Sequence, residues 1–281
     1  LFVGTDGGLW ISADGGNTFS QSNSTFSLTQ FYGLTLHPTD PSVSYGGSQD
    51  NGLQLRSSGQ WTEIITGDGG PVVVDYVDPR LAHFIVNGEV YSRNITGGIS
   101  KIGSKSAFGE ETSNRVAFVP PLVGNLVDST LYYGSWRLFT STDRGANWKA
   151  PAGQTDLTKG STDVLSVIAV APKDPNLIYT GSAQGQVMFS QDAGVTWNVS
   201  TTGLPNRFIR SIAFDPVTTS TAYLTVSGFG SGHVFKTTNN GANCLPAWTT
   251  HPTVGGAVRW PFWKRKVGGA RWAWLYARRP M

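Results

Sequence analysis

A short motif that recurs along the chain constrains its fold more than any other feature. The motif has the form Ser-x-Asp-x-Gly-x-x-aromatic, and three complete copies occur. A degenerate copy, Thr237-Thr-Asn239-Asn-Gly241, follows them. The fixed positions of the complete copies are Ser12, Asp14, Gly16, Phe19, Ser141, Asp143, Gly145, Trp148, Ser190, Asp192, Gly194 and Trp197. Self-similarity of this kind predicts an array built from one repeated supersecondary unit.

A second pattern sets the length of that unit. An apolar run, a turn with proline or Asp-Pro, and a run with a tyrosine precede the motif copies. Tyr45, Tyr133, Tyr179 and Tyr223 are separated by 88, 46 and 44 residues, so the period is about 44. A unit of this length, with four short runs separated by Gly, Asn, Asp and Pro, is typical of one four-stranded propeller blade.

The repeats therefore predict an all-β fold, a β-propeller of four-stranded blades. One blade cannot bury both of its faces, so neighbouring blades must stack around an axis. We predict five blades and a partial first blade, at residues 31–66, 71–105, 114–150, 162–200, 208–250 and 1–20. The partial blade starts at its second strand, so we expect an incomplete ring from a longer protein.

The last part of the chain differs from the rest, and we predict a propeller over 1–250 and a separate tail over 251–281. From Gly256 onward there are seven cations, no carboxylate and four of the ten tryptophans. The tail is either a basic aromatic segment that meets a membrane surface or sequence foreign to the propeller, which is the favoured interpretation. Without this stretch the formal charge is −4, so we expect no nucleic-acid partner.

Several other functions have no support in the sequence. No run of eighteen apolar residues exists, so we expect no membrane span. The single cysteine, Cys244, excludes an intrachain disulfide. The four histidines lack the spacing of metal ligands, and no phosphate-binding loop occurs, so we predict no metal and no cofactor.

The repeated motif resembles the Asp-box, or bacterial neuraminidase repeat, of sialidases, sortilin-type receptors and xyloglucan-degrading glycoside hydrolases. Tyr45-Gly-Gly-Ser-Gln49-Asp50-Asn51-Gly52 and Gly67-Asp68-Gly69-Gly70 are similar to exported bacterial Asp-box proteins described as "glycosyl hydrolase, BNR repeat". This resemblance implies an extracellular or periplasmic protein. It also implies that the motif is a structural turn between the third and fourth strands of a blade, opposite the ligand site.

Candidate site residues lie in the loops that open on one face of a propeller. These loops join strand two to strand three, or one blade to the next, and they meet around the axis. Asp6 and Asp68 are the candidate catalytic residues in this register. The candidate ligand-binding residues are Asp50, Asn51, Glu89, Trp136 and Arg137.

Two functions remain open, and the favoured one is a binding or scaffold module that grips a glycan or a protein segment. The alternative is part of a glycoside hydrolase acting on β-glucan or xyloglucan-type polysaccharide. The xyloglucan-degrading family is similar in carrying an aspartate in a Thr-Asp-x-Gly-Gly motif of its first blade, to which Asp6 corresponds. Such catalysis needs two carboxyl groups, about 5–5.5 Å apart for retention or about 6.5–9.5 Å apart for inversion.

Overall fold

The fold is built from short antiparallel strands. The computed structural model describes residues 1–5, 8–22, 29–110, 115–150, 155–200, 203–229 and 232–246. Within these ranges the chain forms 22 strands in six sheets and no helix. All of them belong to one compact unit, Leu1–Trp248. The predicted tail, 251–281, lies outside the described residues.

Each sheet is a meander in which every strand pairs with its neighbour in the chain. Blade 1 consists of β1 (Phe2–Thr5), β2 (Gly8–Ile11) and β3 (Ser20–Gln21). Blade 2 consists of β4 (Phe31–Leu36), β5 (Ser44–Ser48), β6 (Gly52–Ser57) and β7 (Gln60–Ile65). Blade 3 consists of β8 (Gly69–Val74), β9 (Leu81–Val86), β10 (Glu89–Asn94) and β11 (Ile99–Gly103).

The second half of the molecule repeats this arrangement. Blade 4 consists of β12 (Leu122–Gly124), β13 (Leu131–Gly134) and β14 (Leu138–Ser141), and a bridge from Thr140 to Lys149 stands in place of a fourth strand. Blade 5 consists of β15 (Leu165–Ala171), β16 (Asp174–Ser182), β17 (Val187–Ser190) and β18 (Asn198–Val199). Blade 6 consists of β19 (Ile209–Phe214), β20 (Ala222–Val226), β21 (Val234–Thr237) and β22 (Leu245–Pro246).

The core lies between consecutive blades rather than inside any one of them. Four clusters of buried side chains fill the interfaces from blade 2 to blade 6. Pairs of buried residues from these interfaces, in chain order, are Tyr45 and Phe84, Ile85 and Tyr133, Leu138 and Ile168, and Tyr179 and Leu224. Stacked four-stranded meanders of this kind confirm the predicted β-propeller.

A glycine near the end of the second strand permits the close approach of the next blade. A Cβ atom at Gly181 would lie 2.6 Å from Cγ2 of Ile209 in the inner strand of blade 6. At Gly47, the equivalent position of blade 2, a Cβ would overlap the carbonyl oxygen of Gly70 in blade 3. Because a side chain at these positions would overlap the next blade, the glycines set the spacing between blades.

The structural register differs from the predicted register in blade 4. Leu131 pairs with Ser141, as Ile178 pairs with Ser190 in blade 5. Tyr132, and not Tyr133 as the sequence spacing suggested, is therefore the equivalent of Tyr179. The two adjacent tyrosines lie on opposite faces of the sheet, since side chains alternate along a strand. Tyr132 packs with the blade 5 residues, whereas Tyr133 packs with blade 3 and donates a hydrogen bond to the carbonyl oxygen of Gly88 at 3.2 Å.

The Ser-x-Asp-x-Gly segments after the third strands, here called the repeat turns, share one hydrogen-bond pattern. In blade 5, Oγ of Ser190 donates to Oδ1 of Asp192 at 2.8 Å and accepts from the backbone N–H of Gly194 at 2.8 Å. The same two hydrogen bonds occur in blades 1 and 4. In blade 6, Thr237 and Asn239 replace serine and aspartate with equivalent contacts.

The aspartate of each repeat turn also holds a side chain four residues further on, which the sequence motif had left unspecified. Asp192 accepts from the backbone N–H and the hydroxyl of Thr196, at 2.8 and 2.6 Å. In blade 4 the side chain and backbone of Asn147, together with Ser141, lower the pKa of Asp143 to about 2. The turn carboxylates are thus used by their own turns.

Candidate functional site

The connections between strands lie at two opposite ends of the blades. The loop end carries the connections from strand two to strand three and from one blade to the next. The turn end carries the connections from strand one to strand two and the repeat turns. Asp50, Asn51, Asp68, Trp136 and Arg137 all lie in loop-end connections, whereas Glu89 starts the strand that follows one.

Three loops from blades 2 and 3 join in a hydrogen-bonded rim at the loop end. The backbone N–H of Asp50 donates to Oδ1 of Asp68 at 3.2 Å. The backbone N–H of Asp68 donates to Oδ1 of Asn87 at 2.9 Å, and that of Asn87 donates to the carbonyl oxygen of Asp68 at 3.0 Å. Asp50, Asn51, Asp68 and Asn87, called the rim below, are therefore held together by main-chain and side-chain contacts across two blades.

Two residues of the rim have an uncommon backbone conformation. Asp50 has φ of 60° and Asn87 has φ of 52°, both in the left-handed region that aspartate and asparagine tolerate better than most residues. The carboxylate of Asp50 is exposed and has no hydrogen-bond or ion-pair partner in the described part of the chain. Gly52 must be glycine, because a Cβ there would overlap the carbonyl oxygen of Ile65.

Glu89 lies beside the rim but is already paired. Its Oε2 accepts from Nζ of Lys101 at 2.7 Å and from the hydroxyl of Tyr91 at 3.3 Å. Hydrogen bonding to Glu89 raises the pKa of Lys101, and burial followed by the charge of Glu89 raises the pKa of Tyr91. The carboxylate of Glu89 is thus engaged within blade 3.

Trp136 and Arg137 belong to a second, mostly buried network in which Glu110 is central. The carboxylate of Glu110, 1% exposed, accepts from Nε1 of Trp136 and from Nε of Arg137, each at 3.0 Å. It also accepts from Oγ of Ser135 at 3.2 Å. Arg137 is 8% exposed and donates through Nη2 to the carbonyl oxygen of Phe108. Its guanidinium group is committed to contacts within the protein.

A second arginine covers the Trp136 ring. The guanidinium carbon of Arg115 lies 4.7 Å from the ring centroid, a cation–π distance. Arg115 is held by both carboxylate oxygens of Asp156, at 2.8 and 2.9 Å, and by Oγ1 of Thr158. The indole of Trp136 is consequently packed between charged groups that already have partners.

The structure thus brings together three predicted site residues, Asp50, Asn51 and Asp68, and places Trp136 and Arg137 in a different network. Asp6 lies outside the described residues, so its role stays a prediction. Sequence reasoning placed Asn87 in this loop but did not select it as a site residue, and it missed Glu110. Asn87-Gly88 is a two-residue hairpin signal, whereas nothing near Glu110 in the sequence indicated its contacts.

The described residues contain neither a metal-ligand cluster nor a membrane-spanning helix. Their histidine, cysteine, aspartate and glutamate side chains form no group of three or more that could hold a metal ion. None of these residues belongs to a helix that could cross a bilayer. Cys244 is buried, and its sulfur lies 3.2 Å from Oγ of Ser200.

No family model and no curated protein matches the chain. Among solved structures it is similar to an ancestral GH74 enzyme, with a TM-score of 0.59, 14% identity and cover of 84% of this chain and 34% of that one. It is also similar to an auxiliary nutrient binding protein from Bacteroides thetaiotaomicron, with a TM-score of 0.53, 9% identity and cover of 75% and 55%. The GH74 xyloglucanase from Xanthomonas campestris matches with a TM-score of 0.48, 15% identity and cover of 79% and 45%.

These comparisons concern the fold. The chain spans about a third of the length of the ancestral GH74 enzyme and about half of the nutrient binding protein. At such low identity, the likeness shows a shared β-propeller architecture and not a shared activity. Together with the six antiparallel sheets, of which those of blades 2 to 6 pack against one another, it defines this protein as a β-propeller.

Proposed function

We propose that this protein is an exported Asp-box propeller that binds a glycan or a protein segment at its loop end. The rim carries the proposal. Its loops come from two blades, are tied to each other by hydrogen bonds, and leave the carboxylate of Asp50 free in the described part of the chain. A site whose polar groups are already held in place loses less conformational freedom when it binds.

The chemistry of the rim favours a ligand rich in hydroxyl or amide donors. Asp50 and Asp68 offer carboxylate acceptors, and the exposed side chain of Asn51 offers an amide. Sugars carry many hydroxyl donors, and hydrogen bonds to a charged acceptor are stronger than those to a neutral one. A glycan is therefore the ligand that we place first, and a protein segment comes second.

The Asp-box assignment is supported by the repeat turns. Three copies share the serine–aspartate and serine–glycine hydrogen bonds, and all lie at the end of the blades opposite the rim. Export follows from the same resemblance. Fractionation of the native host is its test, because a protein that remains in the cytoplasm would contradict it.

A glycan array with matched variants tests the binding proposal. Asp50→Asn removes the charge of the rim and keeps a residue that tolerates φ near 60°. We expect it to weaken glycan binding about tenfold. Glu63→Gln is the control, because Glu63 is an exposed carboxylate on the outer strand of blade 2. If the unmodified protein and Asp50→Asn bind glycans equally well, the rim is not part of the binding site.

A glycoside hydrolase is the second candidate, and the position of Asp68 favours it. Its Oδ1 accepts the backbone N–H of Asp50, and Oδ2 has no partner within the described ranges. Paired with a second carboxyl group such as Asp6, it could act as acid, base or nucleophile. The test compares the unmodified protein with Asp6→Asn and Asp68→Asn for hydrolysis of xyloglucan and β-glucan. Unchanged hydrolysis in both variants would exclude these two residues as catalysts.

A further inference from the structure

A small polar cavity lies at the loop end of blade 5, whereas the rim lies on blades 2 and 3. Three connections surround it: one leads from blade 4 into blade 5, one is the loop between β16 and β17, and one leads from blade 5 into blade 6. Lys159, Gln186 and Asn206 supply its polar lining from these three connections in turn. The cavity is about 110 Å³.

One cation, Lys159, lines this cavity, and a second, Arg207, follows the lining residue Asn206 in the chain; neither has a carboxylate partner in the described part of the chain. Lys159 is exposed, and its Nζ donates to Oδ1 of Asn206. Arg207 follows Asn206, and no described residue accepts a hydrogen bond from its guanidinium group. Other cations at the loop end, such as Arg137 and Arg115, are neutralised by Glu110 and Asp156.

The position of the Arg207 guanidinium depends on a glycine. Gly228 has φ of 99°, and a Cβ at this residue would overlap Nη1 of Arg207. The guanidinium group therefore lies close to the backbone of Gly228, in the loop between β20 and β21. Any larger residue at position 228 would displace it.

The connection that carries Lys159 is fixed by a buried carboxylate. Asp163 is 0% exposed, and its Oδ2 accepts the backbone N–H of Lys159 at 2.9 Å. Its Oδ1 accepts the backbone N–H groups of Val164 and Gln184, each at 2.9 Å. Asp163 thereby ties two of the three walls of the cavity together, so the cavity is preformed.

We infer that this cavity is a subsite for the anionic group, a carboxylate or a sulfate, of an acidic glycan. A cavity of about 110 Å³ is smaller than a cavity of about 150 Å³ that holds one benzene ring. It fits one carboxylate or sulfate group and excludes a complete sugar ring. Lys159 supplies a positive charge in the lining, Gln186 and Asn206 supply amide groups, and Arg207 adds a second positive charge next to Asn206 in the chain.

The distribution of charge at the loop end supports the same assignment. The rim on blades 2 and 3 carries the carboxylates of Asp50 and Asp68, which would repel an anionic sugar. The cavity is lined by Lys159, and Arg207 follows its lining residue Asn206; both positive charges would attract one. Such complementarity sets the orientation of a ligand more than its total affinity, so an acidic unit would lie over blades 5 and 6.

Calorimetry with three oligosaccharide probes tests the inference, which rests on the proposed glycan-binding function. The probes are an oligogalacturonate, a sulfated glucan and a neutral cello-oligosaccharide. We expect the acidic probes to bind, with Lys159→Ala and Arg207→Gln each weakening them about tenfold. Lys173→Ala is the control, since Lys173 is an exposed lysine at the turn end. Gly228→Ala should also weaken binding without removing a charge.

The outcomes separate this inference from the proposed function. Binding of the neutral probe alone, weakened by Asp50→Asn, would overturn the anionic subsite and leave the proposed function standing. Failure of every glycan to bind would overturn this inference and the glycan part of the proposed function, and would leave a protein segment as the ligand of the rim. Acidic probes that bind equally to the protein, Lys159→Ala and Arg207→Gln would place the anion elsewhere. Selective binding of the carboxylate or the sulfate probe identifies which of the two groups the cavity takes.

Discussion

Nε of Arg144 donates to Oδ2 of Asp75 at 2.9 Å, and this ion pair joins the repeat turn of blade 4 to the first hairpin of blade 3. The carboxylate of Asp75 is 1% exposed and also accepts from Val77, Asp78 and Ser129. Burial alone would raise the pKa of Asp75. The hydrogen bonds and the charge of Arg144 outweigh burial and lower it.

We predict that Asp75→Asn lowers the free energy of unfolding by about 2 kcal/mol, because the four donors lose a charged acceptor. Because Arg144 is partly exposed to solvent, the loss of stability should be smaller than for a fully buried ion pair. Urea unfolding at pH 7 measures it. Lys101→Gln is the control, since it breaks an exposed ion pair with Glu89 and should cost less than about 0.5 kcal/mol. Equal effects of the two variants would contradict the prediction.

His83 gives the fold a dependence on pH. Its ring is fully buried between blades 3 and 4, and neither ring nitrogen has a hydrogen-bond partner among the described residues. Burial lowers the pKa of His83 to about 4. The negative charge of Asp75 opposes this shift, and the positive charge of Arg144 adds to it. The unfolded chain therefore takes up this proton at a higher pH than the folded chain does.

It follows that the protein loses stability as the pH falls from about 6.5 to about 4, by about 3 kcal/mol from this group. Urea unfolding at several pH values across this window measures the loss. His83→Leu should reduce the slope of stability against pH there. An unchanged slope in that variant would show that another group causes the acid sensitivity.

The glycine at the end of the second strand offers a matched pair of substitutions. Gly47→Ala should destabilise the protein by about 3 kcal/mol or more, because its Cβ overlaps the backbone of Gly70 in blade 3. Gly4 is the equivalent residue of blade 1, and a Cβ added there would meet no atom within 4 Å. Gly4→Ala should therefore change stability by less than about 0.5 kcal/mol. Thermal unfolding of both variants decides between these values.

Glu110→Gln tests whether Trp136 and Arg137 serve the fold or the ligand. Removing the charge leaves the guanidinium of Arg137 buried without an ionic partner, so we expect a loss of about 3 kcal/mol in the free energy of unfolding. Glu63→Gln, an exposed carboxylate, should leave stability unchanged. Wild-type stability in Glu110→Gln, combined with weaker glycan binding, would instead support a direct ligand role for Arg137.

The sequence was sufficient for the fold because four blades carry a copy of the motif and the strands and turns recur with a period of about 44 residues. It failed on the register of blade 4, where Tyr132 and Tyr133 are adjacent and both buried, on opposite faces. The sequence correctly predicted that Asp50 and Asp68 lie close together, because the order of the strands assigns both of their loops to the same end of the blades. It could not identify the network of Trp136 and Arg137, since Glu110 comes from a connection without a motif.

Each repeat turn is closed by hydrogen bonds among its own few residues, and in blades 2, 4 and 5 a glycine near the end of the second strand lies against the next blade. A blade is thus a modular structural unit. Loss or duplication of one period in the gene, about 44 codons, would join two surfaces that already fit each other. The number of blades is consequently free to change during evolution, and so is the width of the opening at the loop end.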